Sequence, residues 1–343
     1  MFFESFKDGE GCKSYIVGCE ETCAAVIIDP ALGLVDRYIG QVAMHGLRVR
    51  YIVDTHTHAD HFSGAQALKA EFGVPIVMHR FSPSPYVDLH VEDGHSLPLG
   101  EMRMRILHVP GHTRDSMAVH VVDRVFTGDT LLIGGTGRSD LPSGDPDQLF
   151  DSLFGKLLAL PDETLVFPAH DYKGREHSTI GDERANNPRL QKTERPAFVE
   201  LMNGLNLAAP THLTEALRTN MSGGKTVRQL LAEAGAKVPF MSMDQLALML
   251  DARPNDFLVI DVREKDAYAA GHVPGAVHLP RGQLELKVNE ILPDPSVEVL
   301  TVCELGKVST LAAATLRELG FLRATALDGG MAAWREAGRP VEG

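Results

Sequence analysis

The stretch VDTHTHADHFSG, residues 53–64, decides the fold of the N-terminal half of this chain. It contains four metal-ligand residues in the order H-x-H-x-D-H, namely His56, His58, Asp60 and His61. The run before it, RVRYIVD, is rich in β-branched residues and predicts a strand. The polar residues then lie on a loop at the C-terminal end of that strand, where α/β sheets usually bind ligands. Imidazole suits zinc and iron, and carboxylate adds negative charge, so this loop predicts a metal site.

Three more motifs with ligand residues follow apolar runs further along the chain. They are VPGHT with His112, FTGDT with Asp129 and FPAHDYKG with His170. Since each follows a predicted strand, all could converge on one edge of a sheet. A single histidine of this kind is usually a surface or capped imidazole, but the ordered set has no packing purpose. We therefore expect the set to bind metal.

The length and the alternation of elements predict two α/β domains. The chain has 343 residues, more than one compact core usually takes. Short strand patterns such as KSYIVG and AAVIIDP alternate with helical patterns such as GAQALKAEFG, which is typical of layered α/β domains. The pattern turns helical and polar after residue 196, and a new α/β pattern starts near 240. We expect a first domain at 1–224, a linker at 225–239 and a second domain at 240–343.

Charge and composition exclude several classes of function. The formal net charge is −13, with 46 acidic and 33 basic residues, so a nucleic-acid partner is not expected. No apolar run approaches the length of a membrane span. The start MFFESFKDGEG does not resemble a signal or transit peptide, and we expect a cytoplasmic enzyme. Four cysteines are too few and too uneven for a disulfide framework. The sequence leaves open a homo-oligomer.

The order H-x-H-x-D-H, G-H-T, G-D, A-H resembles the ligand set of the metallo-β-lactamase superfamily. That resemblance implies an αββα sandwich. In the two-metal hydrolases of the superfamily, residues matching His56, His58 and His112 hold one ion. Residues matching Asp60, His61 and His170 hold the other ion, and the residue matching Asp129 bridges the two.

Two further stretches, GTGRSD (135–140) and FPAHDYKG…ERANNPRL (167–190), resemble the persulfide dioxygenases. That family implies one non-haem Fe(II) held by residues matching His56, His112 and Asp129, the 2-His-1-carboxylate arrangement that leaves positions for O₂ and substrate. The remaining members of the set would orient the ligands from outside: His58, Asp60, His61 and His170. The implied reaction oxidises glutathione persulfide with O₂ to sulfite and glutathione.

Glutathione carries two carboxylates, so a pocket for it needs cations. The candidates near the metal motifs are Arg138, Tyr172 and Lys173. Arg138 is preferred because a guanidinium can clamp a carboxylate through two parallel hydrogen bonds. The alternatives stay open: Arg138 could form a structural ion pair with Asp140, and Tyr172 could be a core ring.

The stretch VIDVREKDAYAAGHVPGAVHLP (259–280) resembles the rhodanese domain, with a match over about 240–343. The resemblance places a nucleophilic cysteine, Cys303, in a loop between a strand and a helix whose N-terminus favours a thiolate. The loop reads C-E-L-G-K-V-S, so Val308 replaces the usual arginine and Glu304 adds an anion. Lys307 could partly compensate by binding thiosulfate or sulfite. An inactive rhodanese-like domain is the alternative to active sulfur transfer.

The whole chain thus resembles a fusion of a persulfide dioxygenase with a rhodanese. The first domain would make sulfite from glutathione persulfide, and the second would transfer sulfur between thiosulfate or sulfite and glutathione. The rival interpretation is a two-zinc thioester hydrolase of the glyoxalase II type, with an inactive or regulatory rhodanese-like domain. All ligands for that hydrolase are present, so the ligand residues alone do not separate the two.

Overall fold

The computed structural model describes residues 1–9, 11–205, 207, 213–252, 257–292 and 294–343. These residues divide into two compact units, Met1–Gly224 and Lys225–Gly343. Among them, no helix is long and apolar enough to cross a bilayer.

The first unit contains two mixed six-stranded sheets and a short hairpin. The strands, in chain order, are β1 (Phe2–Lys7), β2 (Lys13–Gly18), β3 (Ala24–Ile28), β4 (Arg48–Val53), β5 (Ile76–His79), β6 (Leu89–Val91), β7 (Ser96–Leu99), β8 (Met102–His108), β9 (Met117–Val121), β10 (Arg124–Gly128), β11 (Leu131–Leu132), β12 (Gly135–Thr136), β13 (Leu165–Pro168) and β14 (Ser178–Thr179). One sheet has the order β1-β2-β3-β4-β5-β6, the other β14-β13-β10-β9-β8-β7, and β11 pairs with β12.

Helices lie between these strands and after them. They are α1 (Val35–Met44), α2 (Ala65–Phe72), α3 (Pro146–Phe150), α4 (Ile180–Asn186), α5 (Arg195–Asn203) and α6 (Leu213–Ser222). A π-helical turn (Asp151–Lys156) and a 3₁₀ turn (Leu157–Ala159) continue the chain after α3.

The alternation of side chains on the strands produces three apolar layers. On β2, Tyr15 and Val17 point into the core between the two sheets, where they meet Phe126 and Phe167 of the second sheet. Ile16, between them in sequence, points to the other face and packs with residues of α1 and α2. The outer face of the second sheet is covered by α3, α4 and α5. The unit is therefore an αββα sandwich, and the predicted metallo-β-lactamase fold is confirmed.

The second unit is a parallel sheet with helices. Its elements are α7 (Val227–Lys237), β15 (Phe240–Met241), α8 (Met243–Ala252), β16 (Phe257–Asp261), α9 (Lys265–Ala269), β17 (Val277–His278), α10 (Leu284–Ile291), β18 (Glu298–Val302), α11 (Lys307–Glu318), β19 (Ala324–Leu327) and α12 (Gly330–Glu336). The strand order is β15-β19-β18-β16-β17. This is the rhodanese-like α/β fold that the sequence predicts.

The stretch 225–239, expected to be a linker, contains helix α7. Thr226 caps this helix through its hydroxyl, and Gln229 completes a capping box. Val238 is buried in the core of the second unit. The stretch belongs to the second unit because its apolar residues contribute to that core, so the expectation of a linker is corrected.

Candidate functional site

The loops that carry the predicted ligands all follow strands at one edge of the sandwich. His56 follows β4, His112 follows β8, and Asp129 follows β10. Ligand atoms of these three side chains lie within 4.8 Å of one another. Oδ2 of Asp129 lies 4.0 Å from Nε2 of His56 and 3.7 Å from Nε2 of His112. Residues 73 positions apart in sequence thus present two imidazole nitrogens and one carboxylate oxygen to a common point.

The tautomer of His112 is set by the GTGRSD loop. Its Nδ1 atom lies 2.8 Å from the backbone carbonyl oxygen of Arg138, which can only accept a hydrogen bond. Nδ1 therefore carries a proton, and Nε2 is the ring nitrogen that faces Asp129. Gly137 makes this arrangement fit, since a Cβ atom there would lie 1.9 Å from the carbonyl oxygen of Asp129.

Thr55 orients His56 so that Nδ1 of this ring also acts as the hydrogen-bond donor. The Thr55 hydroxyl donates to Oδ2 of Asp29 at 2.9 Å, so its lone pairs can accept from Nδ1 of His56 at 3.0 Å. Nε2 of His56 is buried and has no hydrogen-bond partner among the described residues. Burial, with the neighbouring His58, lowers the pKa of His56 to about 3, so the ring is neutral at pH 7. A neutral imidazole with a free, buried lone pair is the form that a metal requires.

A second group of donors, Cys12, Asp60, His61 and His170, also has ligand atoms within 4.8 Å of one another. In this group His170 lies between two carboxylates. Its Nδ1 atom is 2.6 Å from Oδ1 of Asp129, and its Nε2 atom contacts Oδ2 of Asp60. Burial opposes protonation of His170, but the charge of Asp129 and the contacts with Asp129, Asp60 and Cys12 together outweigh it and raise the pKa of His170 well above its ordinary value.

His58 lies between the two donor groups, with its ring centroid 4.1 Å from those of His56 and His61, and it forms a third group of possible ligands with Asp29 and Asp54. Its Nε2 atom lies 3.3 Å from Oδ1 of Asp29, and both side chains are buried. The backbone of the ligand loop is held by Asn220 of α6, whose amide donates to the carbonyl oxygens of His58 and His61 at 2.9 and 2.8 Å. Sequence analysis missed Asn220, because no local signal marks a contact between residues about 160 positions apart.

A cavity of about 800 Å³ opens beside the two donor groups. The predicted substrate residues Arg138, Tyr172 and Lys173 all line it, as does Cys12. The guanidinium of Arg138 forms a bidentate pair with Asp140 through Nε and Nη2, at 2.6 and 2.7 Å, so the ion-pair alternative is realised in this structure. Tyr172 is 74% exposed and is not a core ring.

The NNPRL stretch (186–190) forms hydrogen bonds to the loop that lines this cavity. The buried amide of Asn187 donates to the carbonyl oxygen of Gly135 at 2.8 Å and to Glu183 at 2.7 Å. Arg189 donates through Nη1 to the carbonyl oxygen of Thr136 at 2.6 Å and to the Thr136 hydroxyl at 3.0 Å. The two motifs that the sequence singled out separately are therefore bonded to each other.

In the second unit, Cys303 lies between β18 and α11, as the sequence predicts. Its buried thiol donates to the Ser309 hydroxyl at 3.3 Å, and that hydroxyl donates to the carbonyl oxygen of Gly306 at 2.9 Å. Gly306 adopts a φ of 81° at the N-cap of α11, which favours glycine. Lys307 is the first residue of the helix, and its side chain is exposed.

The carboxylate of Glu304 is engaged by arginines. Arg263 donates to it through Nη1 at 3.1 Å, and Arg335 of α12 contacts its other oxygen. Arg263 also pairs with the buried Asp261 at 2.7 Å. The negative charge of Glu304 is thus neutralised by neighbours, which the sequence alone did not indicate.

The comparisons with known proteins place both units in families. Residues 8–170 match the model of the metallo-β-lactamase superfamily. The human protein "persulfide dioxygenase ETHE1, mitochondrial" is 39% identical over 214 residues, which are 62% of this chain and 84% of the human protein. The chain belongs to the ETHE1 family. A crystal structure of ETHE1 from Myxococcus xanthus, 39% identical, covers 66% of this chain and 100% of its own, with a TM-score of 0.64.

The second unit of this ETHE1-family chain matches a different family. Residues 242–337 match the model of the rhodanese-like domain. A metallo-β-lactamase structure from Staphylococcus aureus, 23% identical, covers 96% of this chain and 98% of its own, with a TM-score of 0.61, which shows a shared fold. The predicted combination of an ETHE1-type domain with a rhodanese-like domain is confirmed.

Proposed function

We propose that the first unit oxidises glutathione persulfide with O₂, using one Fe(II) ion held by His56, His112 and Asp129. The observation that carries the proposal is the convergence of two imidazole nitrogens on one carboxylate oxygen. The persulfide dioxygenases at 39% identity support the choice of substrate.

The donor set is typical of an open Fe(II) site that leaves positions for other ligands, and not of a closed structural metal site. Two histidines and one carboxylate on one side leave the positions facing the cavity for other ligands, which is the facial arrangement of non-haem iron oxygenases. The orphaned Nε2 atom of His56 supports a ligand role, since a buried acceptor without a partner costs free energy. When bound, Fe(II) supplies the binding positions for O₂ and sulfur and the redox chemistry of the oxidation.

The position of His170 supports one ion rather than two. Nδ1 of His170 lies at hydrogen-bond distance, 2.6 Å, from Oδ1 of Asp129. Its Nε2 atom is close to Oδ2 of Asp60 but makes no hydrogen bond among the described residues. Asp129 uses Oδ1 for the contact with Nδ1 and has only Oδ2 left for an ion. We infer that Asp60, His61 and His170 form a charged network that orients Asp129, and that His58 supports the ligand loop through Asp29.

The overall reaction consumes one persulfide anion, one O₂ and one water. It releases one thiol, one sulfite dianion and one proton, so atoms and charge balance. The chain itself would bind the glutathione moiety in the cavity, which Tyr172 and Lys173 line. It would also keep the tautomers of the ligand histidines fixed. The carbonyl oxygen of Arg138 accepts a hydrogen bond from Nδ1 of His112, and Arg138 also lines the cavity.

For the second unit we propose sulfur transfer through a persulfide of Cys303. The Ser309 hydroxyl accepts a hydrogen bond from the Cys303 thiol, and the N-terminal amides of the 12-residue helix α11 would stabilise a negatively charged outer sulfur on Cys303. The chemistry couples the units, because sulfite made by the first is the acceptor that converts a persulfide to thiol and thiosulfate in the second.

The rival two-zinc thioester hydrolase is supported by the second donor group around Asp60, His61 and His170. Oxygen uptake by the Fe(II)-loaded chain on glutathione persulfide, with sulfite measured as product, separates the two. We expect one O₂ consumed per sulfite, from a chain containing one iron. No uptake by iron-loaded chain, together with cleavage of S-lactoylglutathione by the zinc-loaded chain, would establish the hydrolase.

A further inference from the structure

In the second unit, a carboxylate of the chain itself lies between two guanidinium groups. It belongs to Glu304, the residue that follows Cys303. One of its oxygens accepts a hydrogen bond from Nη1 of Arg263 at 3.1 Å, and the other contacts Nη2 of Arg335. Guanidinium groups that meet in this way are suited to bind an oxyanion. The two arginines therefore form an oxyanion site that a side chain of the chain fills.

Helix α12 holds the Cys303 loop next to this site. The amide of Met331, at the start of the helix, donates to the carbonyl oxygen of Cys303 at 2.8 Å. Gly330 permits this contact, since a Cβ atom there would lie 2.5 Å from the same carbonyl oxygen. Arg335 follows Met331 by about one helical turn and reaches Glu304 from the same helix. The thiol and the resident carboxylate are thus carried by consecutive residues of a loop that α12 contacts.

The two arginines differ in how firmly they are engaged. Arg263 is buried, and its Nε and Nη2 atoms bind the carboxylate of Asp261, so Nη1 is the part that serves Glu304. The side chains of Arg335 and Glu304 are 45% and 46% exposed. An ion pair this exposed is weak because water screens it. A small dianion can therefore displace the Glu304 carboxylate from Arg335, and solvent receives the released side chain.

We propose that Arg335, together with Nη1 of Arg263, binds the sulfonate oxygens of thiosulfate or the oxygens of sulfite, and that Glu304 occupies this site as an internal competitor. The inference rests on the sulfur transfer proposed for the second unit. Arg335 supplies from α12 a cation that Val308 does not supply from the loop. Glu304 raises the concentration of dianion that is needed to fill the site.

The site serves both directions of the transfer. With thiosulfate, the Cys303 thiolate forms a bond to the outer sulfur, the S–S bond of thiosulfate breaks, and its electron pair leaves on sulfite. In reverse, sulfite takes the outer sulfur from the Cys303 persulfide, and the thiolate is the leaving group. The oxygens of the dianion carry negative charge in both directions, so the guanidinium groups stabilise its binding. Glutathione persulfide has no sulfonate, so its transfer of sulfur to Cys303 does not use this site.

A structural role for the ion pair is the alternative to be tested. If the contact between Glu304 and Arg335 only holds the loop, removal of either partner breaks the same contact and has the same effect. If Arg335 binds the dianion and Glu304 competes with it, the two removals have opposite effects. The sign of the change therefore separates the two roles.

The deciding experiment measures thiosulfate binding by calorimetry to the full iron-loaded chain in a Cys303→Ser background, which holds no nucleophilic thiol at this loop. Glu304→Gln should tighten binding by about 3- to 10-fold, and Arg335→Gln should weaken it by about tenfold. The gain from Glu304→Gln should vanish when Arg335→Gln is added. Arg339→Gln, which removes an arginine paired with Asp244 in the same unit, is the matched control and should bind as its parent. The first unit is the same in every variant, so differences in binding belong to the second.

Turnover with Cys303 intact gives the second readout. The KM for thiosulfate should fall in Glu304→Gln and rise in Arg335→Gln. Charging of Cys303 by glutathione persulfide, followed anaerobically by mass spectrometry, should stay within about twofold of wild type in both.

Three results would overturn the proposal. They are changes of the same sign in the Glu304 and Arg335 variants, an equal loss of charging by glutathione persulfide, and a lack of thiosulfate binding by the Glu304→Gln chain. Opposite changes in thiosulfate binding without any sulfur transfer would instead refute the transferase and uphold the oxyanion site. The two proposals therefore fail separately.

Discussion

Nδ1 of His170 lies 2.6 Å from Oδ1 of Asp129, while Oδ2 of the same carboxylate lies 3.7 Å from Nε2 of His112. The two oxygens of Asp129 therefore face different partners. Because the contact with His170 occupies Oδ1, Oδ2 is the oxygen of Asp129 that faces His112, and this division supports the proposal of one ion.

The first prediction contrasts a ligand with a supporting residue. Asp129→Ala should remove iron binding, because it deletes the only carboxylate of the three-donor group. His58→Ala should lower metal affinity by about 10- to 100-fold and still load with excess Fe(II). Metal analysis after reconstitution and desalting measures both, with the exposed Asp123→Ala as control. Equal loss of metal from the Asp129 and His58 variants would contradict the single-iron site.

The second prediction concerns Asp54, which is buried below the ligand loop. Burial, with the nearby Asp29, raises the pKa of Asp54 to about 7. A carboxyl whose pKa is raised on folding contributes stability that is fully present below its unfolded pKa and is lost as pH rises through about 7. Ionised Asp54 therefore costs stability at pH 8.

Asp54→Asn keeps the acceptor for the Ser63 hydroxyl, which donates to Oδ2 at 2.7 Å, and removes the ionisation. In the metal-free chain the variant should be more stable than wild type by about 2–4 kcal/mol at pH 8, with a smaller difference at pH 5. Urea unfolding at both pH values measures this. A difference that does not grow with pH would show that Asp54 is ionised in the folded state.

The third prediction separates the two activities. Cys303→Ser should abolish sulfur transfer from thiosulfate to glutathione, because a hydroxyl cannot carry the outer sulfur. Oxygen uptake on glutathione persulfide should stay within about twofold of wild type, since the thiol belongs to the other unit. A Cys303→Ser chain that keeps full thiosulfate exchange would rule out the nucleophilic role.

The fourth prediction tests the effect of restoring an arginine at Val308, where the Cys303 loop lacks the usual cation. Val308 is exposed at the second position of α11. Val308→Arg should lower the KM for thiosulfate by about tenfold, because it adds a guanidinium beside a helix N-terminus that already favours anions. Val308→Met, of similar length without charge, is the control. The gain should shrink at high ionic strength, and equal effects of Arg and Met would show that charge is not the cause.

The sequence by itself determined the two-domain α/β order and the positions of the ligands, because strand patterns end just before His56, His112, Asp129 and His170. Its motifs identified the ETHE1-type and rhodanese-like units. These features are local: period-two alternation and short polar loops are readable from neighbouring residues.

Only the tertiary structure decided which partners the charged groups take. Arg138 pairs with Asp140, Glu304 is held by two arginines, and His170 stands between Asp60 and Asp129. Arg189 remained without a carboxylate partner among the described residues, and α7 joined the second core instead of linking the units. Pairing and burial depend on contacts between residues far apart in sequence. One chain offers many oppositely charged pairs, and only folding selects among them.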